Sequence, residues 1–321
     1  MKLFAKAKSN LNRNIEMSKV IIIAGPTASG KTSLAIDICK KFNGEVISAD
    51  SMQIYKGMDI ATAKPSEQEK DGIPHHLIDI LDPSEPFSVS QFKELCDRAI
   101  ADVVSRGKLP VVAGGTGLYI DSLVNNTLFG EFSGDEEYRE LLRTRAETEG
   151  TEALWNELSQ VDPERAEKLS KNDQKRIIRA LEVYHCTGKT LTEHESFSRT
   201  QKSEHDFLML LLFFEDREVL YDRINKRVDK MFEMGLEEEA RRELTKNGLP
   251  TAHQAIGYKE LRPYFEGTAT LEEVSESLKK STRNYAKRQL TWFRRYENAV
   301  RLLADKGELC EAEKIIRSFL N

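Results

Sequence analysis

The residues best suited to chemistry lie early in the chain. Gly25-Pro26-Thr27-Ala28-Ser29-Gly30-Lys31-Thr32 follows G-x-x-x-x-G-K-T, the spacing of a phosphate-binding P-loop. Glycines at 25 and 30 let the backbone turn its N–H groups inward around an anion. Lys31 brings a full positive charge to a phosphate, and the Thr32 hydroxyl is a candidate ligand for Mg²⁺. Such a loop binds a di- or triphosphate, most often that of ATP or GTP, and does not by itself specify the reaction. Its context agrees with the motif. Val20-Ile21-Ile22-Ile23-Ala24 reads as a buried strand, and Ser33 to Cys39 places apolar residues at helical spacing. The N-terminus of that helix adds partial positive charge at the same point.

Other candidates sit where strands are expected to end. Asp50 follows the short strand Glu45–Ala49, at the edge of an open α/β sheet where ligands gather. The competing role for Asp50 is to cap the next segment. Gly114-Gly115-Thr116-Gly117 closes a third strand, 108–113, and offers the Thr116 hydroxyl near the phosphate; the glycines either admit a ligand or make a tight turn. Asp79 is a weaker candidate for Mg²⁺ through water. His75 and His76 are adjacent on an extended stretch and point opposite ways, which argues against a shared metal. Arg223 and Arg227 fall on one face of a helix from 217 to 234. They suit a lid over phosphate, or pairing with Asp222 and Asp229.

These residues need a scaffold, and the pattern supplies one. Apolar runs at 20–24, 45–49, 108–113, 207–214 and 300–303 alternate with helical periods, as in a parallel P-loop α/β sheet flanked by helices. From about 128 to 203 only charged helical patterns occur, which reads as an inserted all-helical domain. The expected division is a loose N-terminal extension at 1–18, a catalytic core from 19–127 and 204–321, and the insertion at 128–203. The chain has a formal net charge of −5, four widely spaced cysteines and no apolar run of membrane-spanning length. That fits a cytoplasmic protein without disulfides or a Cys-based zinc site. Against this acidic background, residues 279–296 carry seven basic residues, Arg288 among them, and no acid. A polyanionic partner is the expectation there. The aromatics between them, Tyr285, Trp292, Phe293 and Tyr296, read as core before base-stacking.

An ordered set of motifs then resembles one family. The P-loop, Asp50-Ser51-x-Gln53-Ile54-Tyr55, Gly57-Met58-Asp59-Ile60-x-Thr62-Ala63-Lys64-Pro65 and Gly114–Tyr119 occur in that order. Asp173-x-x-Arg176, Gly188-Lys189-Thr190, Gly257-Tyr258 and Ala286-Lys287-Arg288-Gln289-x-x-Trp292 come after them. Together they resemble the bacterial tRNA isopentenyltransferase family from residue 19 to about 300. The resemblance implies transfer of a dimethylallyl group from dimethylallyl diphosphate to N6 of the adenine beside the anticodon of tRNA. Asp50 would be the base, with Lys31, Thr32 and Mg²⁺, Thr116 and Arg227 holding the leaving diphosphate. The RNA contacts it implies are Asp50, Ser51, Met52 and Gln53; Thr116; Gln174, Lys175, Arg176, Ile177 and Ile178; and Ile256, Gly257 and Tyr258. The partners are then the tRNA anticodon stem-loop and dimethylallyl diphosphate, with no membrane and a monomer as the expected state. The rival readings are a P-loop kinase of a small metabolite and a non-catalytic RNA-binding NTPase switch. The N-K-x-D motif of a G protein is absent.

Overall fold

Ile21, Ile22 and Ile23 are wholly buried because β1 (Ser18–Ala24) runs through the middle of a parallel sheet. The computed structural model describes residues 17–127, 134–200, 203–245, 255–306 and 309–321. The strands after β1 are β2 (Gly44–Ser48), β3 (His75–His76), β4 (Leu109–Gly114), β5 (His205–Phe213) and β6 (Val300–Leu303). Their order across the sheet is β3-β2-β4-β1-β5-β6, and every pairing is parallel. Parallel strands buried on both faces favour near-continuous apolar runs rather than alternation, which is how β1 and most of β4 and β5 read. The short strand β3 falls on the His75-His76 pair. Ser18, expected to belong to the N-terminal extension, already pairs with His205. Residues 1–16 of that extension lie outside the described residues.

The chain divides into two compact units, Met1–Ile120 with Glu204–Asn321, and Asp121–Ser203. In the first, the sheet is joined by α1 (Lys31–Phe42), α2 (Glu67–Lys70) and α3 (Val89–Ser105), and the boundary falls within α4 (Gly117–Val124). The second contains only helices among its described residues: α5 (Glu136–Thr148), α6 (Thr151–Val161), α7 (Pro163–Glu167), α8 (Gln174–Thr187) and α9 (Leu191–Thr200). Their core is Leu142, Leu154, Leu158, Ile177 and Leu181. The wholly buried Glu182 is held there by Arg139 at 2.7 Å and Arg179 at 2.9 Å. The first unit resumes with α10 (Arg217–Glu233), α11 (Leu236–Leu244), α12 (Arg262–Phe265), α13 (Leu271–Phe293) and α14 (Leu309–Leu320). No described helix is long and apolar enough to cross a membrane.

The sheet brings the carboxyl ends of β1, β2 and β4 together, and the approach is close. The Ala49 N–H just past β2 donates to the Ala113 carbonyl of β4 at 2.9 Å. A Cβ on Gly114 would stand 2.1 Å from the Ala49 oxygen and 2.4 Å from its carbonyl carbon. Neither atom can swing aside, since both are main chain. Gly114→Ala is therefore expected to cost about 3 kcal/mol of stability, in the range of an overpacked core site. Urea unfolding checks this, and an unchanged midpoint would contradict it.

Candidate active site

The P-loop leaves β1 at Gly25, whose φ of +152° and close approach to Leu212 of β5 exclude a side chain: a Cβ would lie 2.7 Å from the Leu212 oxygen. Gly30, at φ +90°, caps α1 at its N-terminus. The Lys31 ammonium folds back to donate to the Pro26 carbonyl at 2.6 Å. Lys31 and Thr32 line a cavity of about 320 Å³ together with Asp50, Arg227, Tyr285 and Gln289. An adjoining cavity of about 630 Å³ also opens on Lys31, Thr32 and Arg227, and adds Arg223, Lys226 and Lys230. Ala28, Ser29 and Gly30 line this second space. Lys31 and Arg227 are the cations common to both spaces.

Burial, reinforced by the Arg227 guanidinium, pushes the Lys31 ammonium down to about 7, while Asp50 works the other way. Arg227 is lowered too, first by its own burial, with Asp50 opposing. Asp50 is the counter-charge common to both. Its Oδ1 accepts from the N–H of Met52 at 2.9 Å and of Gln53 at 3.3 Å. The capping role foreseen for Asp50 is real, and it uses one oxygen; the residue still lines the cavity. Thr116 Oγ1 accepts from the Ser51 N–H at 3.0 Å, so it ties the end of β4 to the segment after β2. Gln53 is engaged at both ends. Its Oε1 accepts from Ser48 Oγ at 3.0 Å, and its Nε2 donates to the carbonyls of Thr62 at 3.2 Å and Ala63 at 3.3 Å.

The 57–65 segment forms another wall through Ala61, Thr62 and Ala63. It is held by the buried Glu239 of α11, whose two oxygens accept from the N–H groups of Asp59, Ile60 and Ala61 at 2.8 to 2.9 Å. The Tyr258 hydroxyl donates to the same carboxylate at 3.0 Å. Four donors on one desolvated carboxylate satisfy it in place of a cation. Lys64 closes the segment by ion pairs to Asp59 and Asp79. Asp79 is therefore spent on Lys64 and does not line the P-loop cavity, which removes it as the metal candidate.

A family model described as IPP transferase matches residues 53–296, and one described as isopentenyl transferase matches residues 18–80. A tRNA dimethylallyltransferase of Acetivibrio thermocellus is 51% identical over 304 residues, covering 94% of this chain and 96% of its own. The crystal structure of a full-length tRNA isopentenylpyrophosphate transferase from Bacillus halodurans superposes with a TM-score of 0.70 at 43% identity, covering 94% and 97% of the two chains. A eukaryotic dimethylallyltransferase caught acting on tRNA gives a TM-score of 0.81 at 34% identity, over 93% of this chain and 78% of that one. The chain belongs to the tRNA dimethylallyltransferase family.

Within this tRNA dimethylallyltransferase fold the expected site residues separate into groups. Thr27, Lys31, Thr32, Asp50, Ser51, Met52, Gln53, Arg227, Ile256, Gly257 and Arg288 all line the P-loop cavity. Arg223 lies over the Phe214 ring at 5.5 Å, beside Gly30. The acids that offered it a partner are taken: Asp222 pairs with Lys226 and Asp229 with Lys279, each near 2.7 to 2.8 Å. Three side chains do not fit an RNA contact. Ile177 and Ile178 are buried in the helical unit's core, and Tyr258 is wholly buried on Glu239. Their neighbours Lys175 and Arg176 are exposed.

The glycines of 114–117 also differ from their expected use. A Cβ on Gly115 would stand 2.2 Å from Gln289 Nε2, and one on Gly117 2.3 Å from Trp292. These two admit α13, while Gly114 and Gly115 also line the cavity. Tyr285 of α13 lines the cavity instead of the core; burial raises its phenol, and the hydrogen bonds of Thr116 and Gln289 oppose that. Glu239, Tyr285 and Gln289 are absent from the sequence-based site because each acts across long sequence separations. The tyrosine and glutamine do stand four apart on a helix already marked as special.

The Lys31 shift yields a binding test. A lysine held to about 7 is largely neutral at pH 8 in the empty site, and an incoming anion restores its proton. Inorganic diphosphate binding at pH 8 is expected to take up close to one more proton in the wild type than in Lys31→Met. The excess should fade below pH 7, where the lysine is already charged. Calorimetry in buffers of different ionisation enthalpy measures it; equal uptake by both proteins would contradict it.

Proposed function

We propose that the chain transfers a dimethylallyl group from dimethylallyl diphosphate to N6 of the adenine at position 37 of tRNA, giving N6-isopentenyladenosine and diphosphate. The observation that carries this reading is the meeting of a P-loop, two desolvated cations and one carboxylate on a single cavity. Family membership supports the same reaction, and nothing in the site favours a kinase. The diphosphate lies on the P-loop. Lys31 and Arg227 neutralise the charge that grows as the C1–O bond breaks. The adenine amine attacks C1, and its proton passes to the Asp50 carboxylate. An adenine taken out of its stack fits a recessed cavity of this kind. Thr116, through Ser51, fixes the segment that carries Asp50.

Mg²⁺ is the cofactor of this proposal. The Thr32 hydroxyl is exposed on the cavity and bonded to no described residue, so it is free to act as a ligand. Mg²⁺ characteristically takes one or two protein oxygens plus phosphate oxygens and water, which suits so sparse a donor set. Bound there it would supply further charge to the leaving diphosphate. The anticodon stem-loop partner and a cytoplasmic setting accord with the substrate. The RNA-facing charge is supplied by Lys175 and Arg176 on α8, and by Arg288 on α13, whose guanidinium lies over Tyr285 at 5.6 Å.

Two measurements test the proposal. Transfer should proceed with dimethylallyl diphosphate and not with ATP or GTP; phosphoryl transfer from either nucleotide would sink it. Asp50→Asn keeps the oxygen that caps Met52 and Gln53 but removes the basicity. Single-turnover transfer is expected to fall about a hundredfold or more. Affinity for dimethylallyl diphosphate should change little. A near wild-type rate would move the base elsewhere, and a collapse of diphosphate binding would make Asp50 an organiser of the metal.

A further inference from the structure

Gln289 is buried at 6% exposure, 262 residues from the P-loop in sequence, yet it bonds directly to it. Its Oε1 accepts the Thr27 N–H at 2.8 Å, and its Nε2 donates to the Gly115 carbonyl at 2.9 Å. The two bonds join the P-loop to the glycine segment after β4, the two sides of the site that hold the leaving diphosphate and the Ser51–Thr116 support. The fit is mutual. Only a glycine at 115 leaves room for the amide, since a Cβ would approach its nitrogen to 2.2 Å. One turn further along α13, Trp292 fills the space that Gly117 leaves. One turn back, Tyr285 lines the cavity. The Thr27 N–H is thereby withdrawn from any phosphate, so Gln289 is not part of the anion cradle.

We propose that Gln289 is a positioning residue: a strut that sets the distance between the diphosphate held by the P-loop and the adenine held against Asp50. The rate consequence rests on the prenyl-transfer reading; the strut itself does not. Near-attack geometry is steep, and a misplacement of about 1 Å costs about a hundredfold in rate. An uncharged amide whose bonds run to backbone on both sides should therefore change the rate more than the affinity.

The test compares wild type with Gln289→Ala and with Gln289→Met, which keeps the volume and removes the amide's hydrogen bonds. Single-turnover transfer at saturating substrates is expected to fall about 10- to 100-fold in both variants. The Kd for inorganic diphosphate should move by less than about threefold, because no cradle donor is lost. Amide exchange in the peptide spanning 25–30 should rise about tenfold or more, with β1 unaffected. Gly115→Ala should displace the same amide, so combining it with Gln289→Ala adds little beyond either alone. Unchanged P-loop exchange overturns the strut whatever the reaction proves to be. Full transfer by Gln289→Met overturns its role in positioning. Transfer lost only in proportion to lost diphosphate sites marks Gln289 as a folding residue and also overturns the proposal. A wild type that transfers no prenyl group defeats the functional reading instead, and the exchange result still decides the strut.

Discussion

The ends of β2 and β4 meet backbone to backbone, with a Gly114 Cβ excluded by the Ala49 carbonyl. Much of the site depends on that contact. Because it removes the layer of side chains that normally separates neighbouring loops, Asp50 and Thr116 leave the sheet within a hydrogen bond of each other's segment. The P-loop leaves β1 alongside, pinned by the equally close approach of Gly25 to Leu212. Three strand ends are thus fixed by main-chain contacts that cannot relax by rotamer changes. A carboxylate and a phosphate cradle that share one cavity need this stiffness, since neither is held by a strong direct bond to the other.

The second layer of support comes from α11 and α13, and it works by satisfying backbone polar groups far from each helix in sequence. Glu239 collects the N–H groups of 59–61, and Gln289 bridges Thr27 and Gly115. In both cases one buried polar side chain replaces the sheet or helix partners that a loop backbone lacks. A charged Glu suits the first position because four donors converge on it. An uncharged amide suits the second, where one partner is a donor and the other an acceptor, beside a site that must receive an anion.

Much of this was legible in the sequence, and the rest was hidden for identifiable reasons. The strands at 20–24 and 207–214 were readable as unbroken apolar runs, and those at 45–49, 108–113 and 300–303 as short, largely apolar ones. The P-loop was readable because its chemistry is local. Asp50 was placed correctly at a strand end, but a sequence does not tell a cap from a reactive group, and the carboxylate has oxygens enough for both. The segments 174–178 and 256–258, read as facing RNA, include Ile177, Ile178 and Tyr258, whose side chains are buried as core positions of the motif. The glycines of 114–117 were read toward a ligand, though two of them face Gln289 and Trp292. A glycine announces a close approach; it does not say by what.

The placement of charge adds a further constraint. Lys31 and Arg227 are both desolvated, burial disfavours the charged form of each, and the Arg227 guanidinium further disfavours that of Lys31. Asp50 is the carboxylate that offsets both, and it is committed by one oxygen to the turn at 52–53. Such an arrangement is poor for the stability of the empty protein and favourable for a ligand that brings several negative charges at once. A diphosphate meets that condition at the P-loop.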